Sequence, residues 1–221
     1  MRARNALVLA VSLVMAGAIC GGALASGRKM TKTEIIERIE ATGLEPEIHA
    51  IIDLELAQPP EVVAADYRIE PQGSQQFAID GSGGMFSLMP DGRILLIDSE
   101  GSFGIVASDF NELVAITTGL PSWRDALRFM GEPDIKKAEA AWSDYVRQWG
   151  LDKGLDKPWP YGSEGFSVAT PGAARQEIRA RLSIAASADP FAALYHAVNQ
   201  RSGDVSVFWQ EQPLLLFGRQ P

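Results

Sequence analysis

The chain has 221 residues, 46% of them apolar and 22% charged, enough for one sizeable core and too apolar for a disordered chain. Its formal charge of −8 argues against nucleic acid and anionic membrane as partners and favours basic ones. With one cysteine, Cys20, no intrachain disulfide and no paired thiolate metal site can form.

Residues 1–25 have the three parts of a secretory signal. Arg2 and Arg4 start it, residues 6–19 are an apolar run, and Ala23-Leu24-Ala25 is a small-x-small cleavage site. Cleavage after Ala25 predicts a periplasmic or secreted protein. The alternatives are an uncleaved membrane anchor or a lipoprotein on Cys20, although Ile19 is a poor residue before a lipidated cysteine. Losing Arg2 and Arg4 takes the charge from −8 to −10 and removes the cysteine. Residues 26–221 are then expected to form one domain.

Thr31 and Glu34 have capping-box spacing, which predicts a helix over 31–42 with Ile35, Ile36 and Ile39 on its apolar side. Residues 46–57 suit helix or strand. Pro59-Pro60 is a break, 61–65 reads as a helical turn, and 67–70 as a strand ended by Pro71. Residues 75–79 lead into the centre of the chain. There 85–89 is a strand, Pro90-Asp91-Gly92 a turn, and 94–97 an unbroken apolar run that predicts a strand buried on both faces. A second turn covers 99–102, and 103–107 is a third strand. Ser108 or Asp109 caps the helix that follows, and Asp109 with Glu112 has capping-box spacing. Phe110, Leu113, Val114 and Thr117 line one face of it, and Gly119 stops it. Ser122 is read as the cap of a helix carrying Trp123, Leu127 and Met130. A longer helix places Ile135, Ala138, Trp142, Tyr145, Val146 and Trp149 on one side. Residues 150–172, rich in glycine and proline, are the expected mobile loop. A helix is predicted over 176–184, and another from Asp189-Pro190 with Phe191, Leu194, Tyr195 and Val198 inward. Strands over 205–210 and 214–217 close the chain.

Catalytic patterns are sparse. Ser82 sits in Asp80-Gly81-Ser82-Gly83-Gly84, which lacks the G-x-S-x-G spacing, the phosphate-loop lysine and the alternating acids of a calcium loop. This segment reads as a turn. His49 and His196 have no partner at metal-ligand spacing, so no metal or cofactor is predicted. His196 is placed on a solvent face and His49 among apolar neighbours. Asp98 and Glu100, two apart at a strand end, are the one carboxylate pair with hydrolase potential, and a solvated turn is the plainer reading. Such a hydrolase requires one of them at the base of a cleft. Trp159-Pro160-Tyr161 could stack on a sugar or partner, but packing of the loop onto the body is the stronger expectation.

Asp80-Gly81-Ser82-Gly83-Gly84, Ser99-Glu100-Gly101, Gly104-Ile105-Val106-Ala107 and the segment Trp123-Arg124-Asp125-Ala126-Leu127-Arg128-Phe129 together resemble the SUKH superfamily. That family is known for bacterial toxin-immunity proteins and a fungal cell-wall regulator branch. The likeness covers about a third of the chain, with a looser one from Asp189 to Gly218, and these motifs carry fold more than function. It implies an α+β domain with a central, mostly antiparallel sheet and helices packed around it. It also implies a non-enzymatic immunity protein that neutralises a toxin, here a basic one, by stoichiometric contact. The alternatives are an exported envelope or cell-wall scaffold and, more distantly, a carboxylate-dependent hydrolase. The expected partner contacts are Asp91, Glu100 and Asp109 on the turns and helix start of the centre, with Trp123 as an aromatic anchor that competes with a core role.

Overall fold

The structure is a computed structural model that describes residues 29–56, 67–160, 162 and 164–219. The leader, the Pro59-Pro60 break, the 61–65 turn and Tyr161 lie outside these residues. Seven helices are described: α1 Lys32–Glu40, α2 Glu45–Ile52, α3 Phe110–Gly119, α4 Trp123–Ala126, α5 Ile135–Trp149, α6 Pro171–Leu182 and α7 Pro190–Arg201. The strands are β1 Glu55–Leu56, β2 Tyr67–Glu70, β3 Gln75–Ile79, β4 Met85–Leu88, β5 Ile94–Ile97, β6 Ser102–Ala107, β7 Ser206–Trp209, β8 Gln212–Pro213 and β9 Leu215–Leu216. The expected α+β class is what the chain adopts.

The main sheet runs β1-β3-β4-β5-β6-β9, and a smaller one runs β2-β7-β8. All pairs are antiparallel except β6 with β9. The three-stranded meander read from the sequence is the middle of this sheet, extended by β3. Residues 212–213, read as a turn, pair with β7 as β8, and of the expected return strand 214–217 only Leu214 bonds to β7, donating to the Val207 carbonyl at 2.8 Å. Then β9 leaves the hairpin and adds a parallel edge to β6, pairing Ser102 with Leu215 and Phe103 with Leu216. Local pattern cannot announce that switch between sheets.

Three layers explain the apolar run of β5. Ile94 and Leu96 point into the larger core with Phe77, Phe86, Val106 and the helices. Leu95 and Ile97 point the other way, into a smaller core closed by Val207 of the small sheet and Val205 just before it. All four β5 side chains are completely buried. At roughly 1.5–3 kcal/mol per buried apolar side chain, this strand is a principal source of stability.

Helix termini follow their local chemistry. Thr31 and Glu34 form a full capping box on α1. Asp109 accepts from the Glu112 N–H at 2.8 Å, and Thr170 from the Ala173 N–H at 3.2 Å, so α6 begins earlier than residue 176. Ser122 does not cap the backbone of α4, because its hydroxyl donates to Asp125 instead. The carbonyls at the end of α3 are taken by Arg175, which is 7% exposed and donates to Thr117, Leu120 and Pro121. Burial, with nearby Arg179, lowers the Arg175 pKa to about 10.

The segment after α5, read as a mobile loop, contacts the body at several points. Glu47, wholly buried on α2, accepts from the Ser167 and Val168 N–H groups. Trp159 is buried, donates to the Val168 carbonyl at 2.8 Å and stacks on Phe166 at 4.0 Å. The histidines also trade places: His49 is exposed on α2, and His196 is half-buried.

Candidate functional site: a polar cleft at the Ser99 turn

Asp80 ends β3 and organises the turn into β4. Its Oδ1 accepts from Ser82 N–H at 2.9 Å, Ser82 Oγ at 2.9 Å and Gly84 N–H at 2.7 Å. Its Oδ2 accepts from Arg124 Nη2 at 2.8 Å. The glycine at 84 is needed, because a Cβ there would meet Asp80 Oδ2 and sit 2.6 Å from the Ile97 carbonyl. Gly83, at φ +97°, supplies the left-handed backbone of the turn.

Arg124 is set between two acids. Asp53 follows α2 in left-handed conformation, lies 3.0 Å from Arg124 Nε, and accepts from the Gly81 N–H at 3.0 Å. Arg124 Nε is close to Asp53 but is not aligned as a hydrogen bond to it, so this contact is electrostatic. The guanidinium also lies over Trp123, 4.5 Å from its ring centroid, and over Phe86 at 5.3 Å. The Asp80 side chain is 1% exposed. Burial works to raise its pKa, but Arg124 and the donors from Gly84 and Ser82 outweigh burial and hold the carboxyl below its usual range.

A cleft of about 690 Å³ opens beside this triad. It is lined by the β5–β6 turn with Asp98, Ser99 and Glu100, and by Arg128, Phe217 and Arg219. Asp98 Oδ1 accepts from the Glu100 N–H at 3.0 Å and the Ser102 N–H at 2.7 Å, which fixes the turn. Burial pushes the Asp98 carboxyl up, and the charge of Glu100 adds to that, against the turn N–H groups and Arg124. Ser99 Oγ and Ser82 Oγ are 3.2 Å apart, so the two sequence motifs Asp80–Gly84 and Ser99–Gly101 meet here.

The four expected contact residues do not form one face. Glu100 is exposed on the cleft wall. Asp91 and Asp109 are exposed at the opposite end of the sheet, where both line a smaller cavity with Ser108 and Asn111. The reason is topological: successive turns of an antiparallel meander fall at opposite ends of the strands. Asp91 is also committed, since its carboxylate holds Arg93 at 2.5 Å, and Arg93 reaches Asp204 at 2.7 Å and the Arg201 carbonyl. Trp123 is 2% exposed, and its indole N–H donates to the Ile52 carbonyl at 3.0 Å. It is a core residue and not a surface anchor.

Sequence reading missed Asp53 and Arg124 as site residues. Arg124 lies within a quoted motif, yet nothing local reveals that it spans two acids, 71 and 44 positions back in the chain. Among the described residues, no group of three or more His, Cys, Asp or Glu is arranged to hold a metal ion, and no helix is long and apolar enough to cross a membrane. Comparisons with family models, curated proteins and solved structures found no match.

Proposed function

We propose that this chain is a non-enzymatic protein-binding module of the SUKH type, an immunity protein that neutralises a basic toxin by direct contact. The observation that carries the reading is the state of the charges in the cleft. The deepest acid, Asp80, is ionised and takes four donors, which makes it a poor base. Its partner Arg124 is bracketed by Asp53 and Asp80. A locked triad of this kind braces a recognition surface, while Glu100 stands exposed beside it. An acidic surface facing a basic toxin speeds and orients encounter. Export through the 1–25 leader fits a toxin that acts in the periplasm.

The test is recovery of partners by the mature protein from the envelope fraction, followed by binding kinetics across salt. A basic toxin bound at one-to-one stoichiometry, with association slowing as salt rises, supports the reading. Recovery of cell-wall or envelope components alone transfers it to a scaffold role.

One observation favours a second reading. Asp98 and Glu100 do line the cleft, as a carboxylate-dependent hydrolase requires, and burial raises the Asp98 carboxyl, the direction a general acid needs. Turnover of a glycoside or peptide by wild type that is abolished in Asp98→Asn would establish it and displace the binding reading.

A further inference from the structure

We infer that the partner docks on the face carrying this cleft, placing a lysine or arginine side chain between the β5–β6 turn and the triad, with Trp149 as the aromatic anchor beside it. This rests on the binding reading above and adds to it the surface and the partner chemistry.

The cleft itself says which sign of charge it lacks. Arg124 is neutralised by Asp53 and Asp80. In the same cleft, the Asp98 Oδ1 atom is used by its own turn, while Oδ2 takes no part in it. Two carboxylates two residues apart thus share one wall of a cleft large enough for a long side chain. Burial pushes the Asp98 carboxyl up, and the charge of Glu100 adds to that. A guanidinium or ammonium bound there opposes that shift. Arg128 and Arg219 line the same cleft and call for acidic groups of the partner beside its cation.

The anchor is the second observation. Arg128 lies 5.6 Å from the Tyr145 ring centroid, and Tyr145 is 6.1 Å from Trp149. Trp142 stacks on Tyr145 at 6.0 Å and on Phe191 at 6.1 Å, so the ladder is rooted in the core. Only its last ring is left out: Trp149 is 63% exposed, the most exposed large hydrophobic side chain described. An exposed tryptophan braced by a rigid ladder, which reaches the cleft residue Arg128 through Tyr145, has the composition of an interface hot spot. The overall charge of −8 selects a basic partner over an acidic one.

The first test uses N-acetyl-arginine amide as probe and N-acetyl-glutamine amide as neutral control, read by amide chemical shifts of labelled protein. Saturable shifts confined to residues 98–102, 124 and 128, weakened by salt, are expected with the arginine probe. They should vanish in Asp98→Asn/Glu100→Gln and persist in Glu40→Gln, an exposed acid on α1. Equal shifts with both amides, or shifts unchanged in the double variant, overturn the cleft assignment. The second test uses the partner bound by wild type. Trp149→Ala is expected to speed dissociation about tenfold, a loss of ~1.4 kcal/mol, with melting unchanged. A partner that binds Trp149→Ala and Asp98→Asn/Glu100→Gln as well as wild type overturns this surface while leaving the binding function intact. No saturable partner overturns the function, and the arginine-amide result still decides the cleft.

Discussion

At the residue scale, the ion triad separates groups that support the cleft from groups that face a partner. Arg124→Met strands the Asp80 carboxylate, which is 1% exposed, without its cation. The expected cost is ~3–5 kcal/mol, read as a lower urea midpoint, because an uncompensated buried charge is left behind. A loss below about 0.5 kcal/mol would mean Asp80 is solvated. Glu100→Lys is the opposite case. Its side chain is exposed and its turn is held by Asp98, so stability should stay within about 0.5 kcal/mol while association with a basic partner slows and loses its salt dependence. An unchanged rate would exclude this wall from the encounter. Asp91→Lys is no substitute, because it removes the carboxylate that holds Arg93, whose guanidinium ties the β4–β5 turn to Asp204 and to the Arg201 carbonyl at the end of α7.

At the element scale, β5 and the segment after α5 differ in how they are held. Leu96 is fully buried against the helix layer, so Leu96→Ala should cost ~2–5 kcal/mol by leaving a cavity. A chemical melt shows the result directly, and a change within surface range would remove β5 from the core. The Gly/Pro-rich segment is pinned at few points, chiefly Glu47 and Trp159. Glu47→Ala should raise hydrogen exchange at Ser167 and Val168 by about tenfold or more, while β5 amides keep their protection, since local opening and global unfolding are separate processes. Equal acceleration in β5 would show that Glu47 holds the whole fold and not this strap.

At the scale of the whole molecule, pH acts through carboxylates shifted in opposite directions. Asp80 and Glu112 are each raised by burial but held low overall, Asp80 chiefly by Arg124, and Glu112 by Ser108 and Arg201. A depressed carboxyl adds stability above its unfolded value of about 4, and that stability is lost as pH falls through the lower folded value. Asp98 is raised by burial, so its contribution has the reverse sign: present at acid pH and lost as pH climbs above about 4. The urea midpoint should therefore drop below about pH 4, and Asp98→Asn should exceed wild type at pH 7 with the advantage gone by about pH 3. A flat profile for the wild type, or an advantage that persists in acid, would contradict these assignments.

Much of the fold is legible without coordinates because short-range chemistry decides it. The Thr31–Glu34 box, the Asp109 and Asp189 caps, and the turns at Gly92 and Gly101 are each set within five residues, and the structure places them as expected. The four apolar residues of β5 told correctly that both faces are covered. What covers them, helices on one side and β2-β7-β8 on the other, depends on chain segments more than 100 residues away in the case of β7. The candidate site was half legible for the same reason. The Asp80–Gly84 and Ser99–Gly101 motifs were visible, but their meeting across 17 residues at Ser82 and Ser99 was not. Nor was the assignment of Asp91 and Asp109 to one end of the sheet and Glu100 to the other. Which groups share a cleft is decided by strand direction and long-range ion pairing, and those arise only when distant segments condense on a common core.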